Sequence, residues 1–308
     1  MSIPLVSIII PSFNRAKLLQ RAIQSVLRQT YQNFEVIVVD DASTDHTREV
    51  VLGFSDPRLR YIRNEKNLKG PRSRNIGIKQ ARGEYISLLD DDDEFLPEKI
   101  EKEVNKFRDA PEEVGVVYCG HSFVVNNKIA KIMLPQYRGD VSEITWRHPV
   151  LSLPAALIKK KCFEKSGLFD ETFVSCQDWD LWIRVAQHCR FDYINESLLN
   201  VYMHGGEIST NIQNRVFGIE RILDKYAYEY QKRKKTHSLL LKRLGFLYLL
   251  KGDRPKGSQR FKESFCRDPL ALRNYVMFVL LLISGRSQKI AIGKYAKLIH
   301  QIGDITYF

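Results

Sequence analysis

The sequence predicts an α/β protein with a mostly parallel sheet, helices on both of its faces and a helical appendage at its C-terminal end. Three observations carry that prediction. Short apolar runs alternate with stretches of helical periodicity over residues 5–89, the rhythm of βαβ units. Most of these runs stop at polar or acidic residues, and the fourth stops at Asp90-Asp91-Asp92-Asp93. Charge is also unevenly shared. Residues 1–210 carry 28 Lys and Arg against 29 Asp and Glu, while residues 211–308 carry 20 against 7, so composition changes near 210.

The elements follow in order. Residues 5–10 read as a strand. Residues 15–28 place Leu18, Leu19, Ala22, Ile23, Val26 and Leu27 at helical spacing. A buried strand is expected over 34–39, then a helix from Asp45 to Gly53 with Ser43 or Thr44 as its cap. A third strand covers 59–63, a helix 70–81 and a fourth strand 85–89. Pro97 suits the first turn of a helix over 97–108. Strands are expected at 114–119, 122–125 and 155–158, with 128–134 continuing a hairpin and 159–166 forming a short helix. An aromatic helix runs from Asp178 to His188, and two short strands close the segment at Tyr193 and at 198–202.

With 308 residues, 44% of them hydrophobic, the chain can build one large domain and an appendage. No apolar run approaches the roughly 18 residues that a membrane span needs. The first residues read as a strand rather than a signal peptide. Five cysteines, at 119, 162, 176, 189 and 266, are odd in number and lack Cys-x-x-Cys spacing. This argues against a disulfide framework or a zinc site and for a reducing, cytoplasmic compartment.

Parallel sheets bind ligands at the carboxyl ends of their strands. Here those ends are Pro11-Ser12-Phe13-Asn14, Asp40-Asp41 and Asp90 to Asp93. Adjacent carboxylates raise one another's pKa unless a cation compensates, and carboxylate oxygens with a diphosphate suit a hard divalent metal. The ordinary alternative is a solvated acidic turn. Repetition at one sheet edge favours a single site that binds an anionic ligand through a metal.

The order of motifs resembles the family 2 glycosyltransferases, which have the GT-A fold. The matching stretches are 6–14, Val38-Val39-Asp40-Asp41-Ala42-Ser43-Thr44-Asp45, Arg74-Asn75-Ile76-Gly77, Ala81-Arg82-Gly83-Glu84-Tyr85, Leu89 to Asp93, and Gln177-Asp178-Trp179-Asp180-Leu181-Trp182-Ile183-Arg184. The resemblance spans residues 4–210 and implies sugar transfer from a nucleotide diphosphate donor, with Mn or Mg. It implies a nucleotide-sugar-binding half over 1–95 and an acceptor-binding half over 96–210. Pro11, Phe13 and Asn14 would line the nucleoside pocket. Asp41 would hydrogen-bond the base, with Asp40 holding the loop, and Arg74 would face the base or the phosphates. Asp92 would bind the metal. Asp90 would contact the ribose or a metal-bound water, with Asp91 on the donor side. His204, before Gly205-Gly206, would complete the metal or diphosphate site. The alternative for a lone histidine is a structural role.

Loss of a nucleotide diphosphate develops negative charge on the leaving oxygen, which a divalent cation neutralises. The sugar ring becomes positive. An attacking hydroxyl must lose its proton to a carboxylate on the opposite face. The resemblance assigns that base to Asp178, where the usual Glu-Asp is Gln177-Asp178. Asp180 is the rival, and Trp179 and Asp180 are candidates for the acceptor side. The donor expected is a UDP-sugar; the acceptor is a glycan or a lipid-linked chain. Two other readings stay open: transfer to a polyprenyl phosphate, and a nucleotide-sugar-binding protein without catalysis.

Residues 211–308 read as wholly helical. Leu244-Gly245, Tyr248, Gly257, Phe261, Ser264 and Pro269 have the spacing of one tetratricopeptide-like hairpin near 238–271. The next helix holds nine consecutive apolar residues, 275–283, beside Arg273, Arg286 and Lys289. That run serves either as a core helix or as a face for anionic lipid at the inner side of the cell membrane. The basic surplus lacks the aromatic–basic groove pattern of single-strand nucleic-acid binders, so no nucleic acid is expected.

Overall fold

The computed structural model describes residues 3–204 and 211–270. Gly205-Gly206 and the apolar run at 275–283 with its flanking cations lie outside the described residues. Contacts divide the chain into two compact units. The first comprises Met1–Thr145, Pro149–Thr172 and Gln177–Gly206, and the second Trp146–His148, Phe173–Cys176 and Glu207–Phe308.

The first unit alternates strand and helix through β1 (Val6–Ser12), α1 (Ala16–Leu27), β2 (Phe34–Asp40), α2 (Thr47–Leu52), β3 (Leu59–Arg63), α3 (Gly70–Gln80) and β4 (Tyr85–Leu88). It continues with β5 (Glu94–Phe95), α4 (Lys99–Asp109), β6 (Val114–Val125), β7 (Lys128–Met133) and α5 (Ser142–Thr145), then β8 (Ala156–Lys159), α6 (Lys160–Ser166), α7 (Gln177–Val185) and β9 (Arg190–Tyr202). One nine-stranded sheet has the order β3-β2-β1-β4-β8-β6-β9-β5, with β7 on β6. The strands β3, β2, β1 and β4 are parallel. Beyond them β8 is antiparallel to β4 and β6, β9 is parallel to β6, and β5 is antiparallel to β9. The sheet is therefore more mixed than the βαβ rhythm predicts, because that rhythm stops after β4.

Side-chain alternation explains why β1 and β2 are apolar through their middles, apart from Ser7 and Glu35, which bond each other at 2.7 Å. Ile8, Ile10, Val36 and Val38 enter one core with Leu19 and Ile23 of α1. Ile9, Ile37 and Val39 enter the opposite core with Ile78 of α3 and Trp182 of α7. A strand covered on both faces reads as a nearly continuous apolar run, and its few polar side chains must bond internally. Each such side chain contributes about 1.5–3 kcal/mol relative to exposure.

Three boundaries differ from expectation for identifiable reasons. The runs at 114–119 and 122–125 are one strand, as are Tyr193 and 198–202. Register shifts between β6 and β9 at Cys119/Gly120 and Gly120/Ser122 bend the pair without ending it. A side chain at Gly120 would put Cβ 2.6 Å from Met133 O, so only glycine admits the neighbouring backbone. Helix α2 starts at Thr47, because Asp45 accepts from Thr47 N at 3.1 Å and from Ala16 N at 3.0 Å. Ser43 and Thr44 instead meet Asn14: Ser43 Oγ accepts from Asn14 N at 2.9 Å, and Thr44 N donates to Asn14 Oδ1 at 2.7 Å.

The second unit holds α8 (Ile212–Lys225), α9 (Ala227–Lys232), α10 (Lys234–Lys251) and α11 (Arg254–Arg267). Gly252 ends α10 at φ 89°, and the Asp253 carboxylate accepts from Lys256 N at 3.2 Å to open α11. The two helices touch through small residues. A Cβ on Gly245 would lie 2.8 Å from the Phe261 ring, and the buried hydroxyls of Ser238 and Ser264 are 2.9 Å apart. Among the described residues no helix is long and apolar enough to cross a membrane.

Candidate active site

Parallel pairing aligns the ends of β1, β2 and β4. Ser12 pairs with Asp40, and Ile9 with Leu88, two residues before Asp90. The polar residues after these three strands therefore share one edge of the sheet.

The two aspartates after β2 both hold loops. Asp40 accepts from Ser43 N at 2.8 Å and from Tyr61 Oη at 2.5 Å. Burial, and then the Asp40 charge, push the Tyr61 phenol up to about 12. Asp41 is buried and accepts from Asn64 Nδ2, Leu68 N and Lys69 N at 2.7–2.8 Å. Loop holding, expected of Asp40, thus falls to both, and most of the lone pairs of Asp41 are already engaged. The segment 64–69 fixed in this way leads into α3. Near the end of β1, Pro11 is half-buried, and after the strand Phe13 is 43% exposed and Asn14 adopts φ 53°. The Phe13 ring is therefore open for stacking.

The four aspartates after β4 point to four different partnerships. Asp93 N donates to Asp90 O at 3.1 Å, making a tight turn. Asp90 accepts from Arg74 Nη2 at 2.5 Å. Asp91 is buried, accepting from Ser12 Oγ at 2.7 Å and Arg15 Nη1 at 3.1 Å, and burial pushes its carboxyl up to about 6. Asp92 accepts from Arg15 Nη1 at 2.6 Å, and its Oδ2 lies 2.9 Å from His204 Nε2. Asp93 is buried and accepts from Tyr202 N at 3.2 Å; burial, then the charges of Asp90 and Asp92, hold its carboxyl well above the ordinary range.

Arg74 enters from the first turns of α3 and is only 8% exposed, with its Nε buried and unpartnered. Next to it, Asn75 bonds both the carbonyl and the amide of Phe169 at 2.9 Å. Gly77 lies against β1 so closely that a Cβ there would overlap Ile9 Cγ2. The Arg-Asn-Ile-Gly motif thus presents one cation to the strand edge and locks its helix on both sides.

Asp178 lies in the first turn of α7 and is half-buried. Burial raises its carboxyl above the usual aspartate value, Arg74 opposes the rise and Asp90 adds to it. Asp178, Arg74 and Asp90 therefore share one electrostatic neighbourhood. Trp179 and Asp180 present no surface: Trp179 is 3% exposed and donates Nε1–H to Thr145 O at 2.6 Å, and Asp180 is fully buried. The Asp180 carboxylate meets Arg184 at 2.8 Å, and Arg184 in turn donates to Ser166 O and Gly167 O. Residues two apart on a helix face different ways, and here Asp180 takes the inward side.

Three participants escaped sequence reading. Arg15 bridges Asp91 and Asp92. Arg21 donates to Asp92 O and lies 3.5 Å over the Tyr202 ring. Tyr202 also bonds Glu94 Oε2 at 2.8 Å. Arg15 was within reach, since it directly follows the polar residues that end β1. Arg21 sits in a helix whose only legible signal was its apolar face.

Asp92 Oδ2 and His204 Nε2 are a hard carboxylate oxygen beside an imidazole nitrogen, a pair that would fit a divalent cation once Arg15, now 2.6 Å from the same oxygen, gave way. Among the described residues no three His, Cys, Asp or Glu side chains gather as a metal cage. A cation held by this pair would therefore draw further ligands from a diphosphate and water.

Comparison with known proteins agrees with this geometry. Residues 7–167 match the sequence profile described as glycosyl transferase family 2. An uncharacterized glycosyltransferase of Rickettsia prowazekii (strain Madrid E) is 30% identical over 305 residues, covering 97% of this chain and 90% of the relative. The Escherichia coli protein named UDP-Glc:alpha-D-GlcNAc-diphosphoundecaprenol beta-1,3-glucosyltransferase WfgD is 32% identical over 194 residues, 62% of this chain and 73% of its own. Among solved structures, the mannosyltransferase PcManGT of Pyrobaculum calidifontis, in complex with GDP-Man and Mn2+, superposes with a TM-score of 0.63 at 17% identity, over 96% of this chain and 85% of that one. That likeness shows a GT-A fold. The strand-edge site, the profile match and the near full-length relative lead to one assignment: this chain is a member of glycosyl transferase family 2.

Proposed function

We propose that the protein is an inverting glycosyltransferase that moves a sugar from a nucleoside diphosphate donor, a UDP-sugar, to an acceptor hydroxyl in polysaccharide or glycoconjugate synthesis. The observation that carries this reading is the meeting of Asp92 with His204 at 2.9 Å, at the same strand edge as Asp90, Arg74 and Asp178. Support for the UDP donor and a lipid-linked acceptor comes from the name of the E. coli relative. Support for a metal comes from the donor set and from the Mn2+ in the mannosyltransferase complex.

In this reading the Phe13 ring stacks on the base while Pro11 and Asn14 shape its pocket. Asp41 keeps the 64–69 loop in place beside it. Arg74, at the amino end of α3 where anions already bind well, gives up part of its pairing with Asp90 to meet the phosphates, and Asp90 turns to the ribose. Asp91 orients Arg15. Asp92 and His204 would hold Mn or Mg, which would supply charge neutralisation for the departing diphosphate. Asp178 accepts the proton of the acceptor hydroxyl on the face opposite the leaving group, which inverts the anomeric carbon. Its raised pKa makes it a stronger base than an ordinary aspartate. The enzyme works at the cytoplasmic face of the membrane, where nucleotide sugars meet lipid-linked chains.

Calorimetry with UDP-glucose and Mn tests the donor half. Asp92→Ala is expected to lose Mn-dependent binding, whereas Asp178→Asn keeps binding and loses transfer. Full transfer by Asp178→Asn would remove the base assignment, and binding unaffected by Asp92→Ala would remove the metal assignment.

A further inference from the structure

We propose that the β6–β7 hairpin docks on an anionic bilayer surface and so brings the strand edge of the active site to an acceptor carried on lipid. The inference deepens the function proposed above and rests on its lipid-linked acceptor.

Position is the first reason. The last residues of β6 run beside those of β9, with Val124 opposite Tyr202 and Met203 N donating to Val124 O at 2.9 Å. Tyr202 N bonds Asp93, and His204 faces Asp92. The hairpin therefore turns, at Asn126 and Asn127 with φ 49° and 60°, at the same end of the sheet as the site, one strand away from it.

The second reason is what the hairpin exposes. Val125, Ile129, Ile132 and Leu134 are 40%, 62%, 53% and 46% exposed. Four of the twelve large hydrophobic side chains exposed among the described residues thus fall within ten consecutive positions. A strand facing water normally alternates apolar with polar. In β7 the register shift leaves Ile129, opposite Val124, and Ile132, opposite Ser122, on one face of the hairpin, with Lys128 and Lys131 on the other. Both isoleucines are exposed, so this apolar face has no core to cover it. Clusters of this kind mark contact with another apolar phase.

The third reason is charge. Residues 125–134 contain Lys128 and Lys131 and no Asp or Glu. Apolar side chains beside lysines match an anionic headgroup layer, where the ammonium groups meet phosphate and the aliphatic groups enter the acyl boundary. A second copy of the chain is the other occupant to weigh, since β7 is an edge strand. Its edge, however, carries two lysines and follows a register shift at Phe123/Val124, two features that oppose strand-to-strand pairing.

The test uses the full chain and vesicles of phosphatidylglycerol with phosphatidylethanolamine, against vesicles of phosphatidylcholine alone. Binding to the anionic vesicles is expected to weaken by about thirtyfold in Lys128→Ala/Lys131→Ala, from the attraction of two lysines to anionic lipid. Ile129→Ser/Ile132→Ser is expected to weaken it comparably. Ile129→Cys carrying an environment-sensitive fluorophore, in a Cys266→Ser background, should be quenched by lipids labelled near the headgroup. Donor binding by calorimetry stays unchanged in all three variants, which separates failure of this inference from failure of the proposed function. Equal vesicle binding by wild type and both double variants, with an unquenched fluorophore, would overturn the proposal. So would a dimer that Ile129→Ser/Ile132→Ser dissociates in a protein that ignores anionic vesicles.

Discussion

The sheet has two halves built on different terms. In β3-β2-β1-β4 the strands are parallel, β1 and β2 are buried almost throughout, and the polar groups at their ends are bonded to one another across the edge. In β8-β6-β9-β5 with β7, parallel and antiparallel pairs are mixed, register shifts interrupt β6, and the β6–β7 hairpin stands open to solvent. The first half is set up before any ligand arrives, with Asp41, Asn75 and Gly77 each fixing a loop or helix. Under the function proposed above, that rigidity would suit the constant nucleotide part of a donor, and the more open second half would suit a more variable acceptor.

Several substitutions test that contrast, the largest effect first. Asp178→Asn is expected to lower kcat by about 10²–10⁴-fold, the range for a general base, with the donor Kd unchanged; rate assays beside calorimetry check both. Asp92→Ala should weaken Mn-dependent donor binding by about a hundredfold or more, read in the same calorimeter. Gly77→Ala forces a methyl into Ile9 and is expected to cost about 1–3 kcal/mol in urea denaturation, with little change in activity per folded molecule. Ile132→Ser, on the open hairpin, should change stability by less than about 0.5 kcal/mol. Comparable losses from these last two would erase the distinction between the halves.

The pH profile supplies a further test. Burial raises the Asp178 carboxyl above the ordinary 3.8, and only its charged form accepts a proton. Transfer should therefore fall as pH drops through a limb lying above 3.8, and a limb at or below that value would contradict the role.

The fold class was legible because β1 and β2 are apolar at most positions and β1, β2 and β4 lead into polar residues at one edge, the pattern of a covered parallel sheet. Beyond β4 the signal weakened. Register shifts at Gly120 keep β6 running where composition reads a break, and α2 starts late because Asp45 outcompetes Ser43 and Thr44 for its first turn. In the site, the carboxylates were visible as residue types, but of the cations that balance them only Arg74 was. Arg21 is placed by tertiary packing of α1, which leaves no local mark. Trp179 and Asp180 carry the motif yet lie inside, since helical direction and not residue type decides which neighbours face outward.

Arg15 bears on how often the site can be emptied. In the proposed reaction each turnover ends with a nucleotide leaving, and a pocket lined by carboxylates would then be left with its own repulsion. Because one guanidinium is tethered across Asp91 and Asp92, part of that repulsion is offset without any visitor. The resting site keeps a counterion of its own, and a cation arriving with the donor would share the Asp92 carboxylate with it.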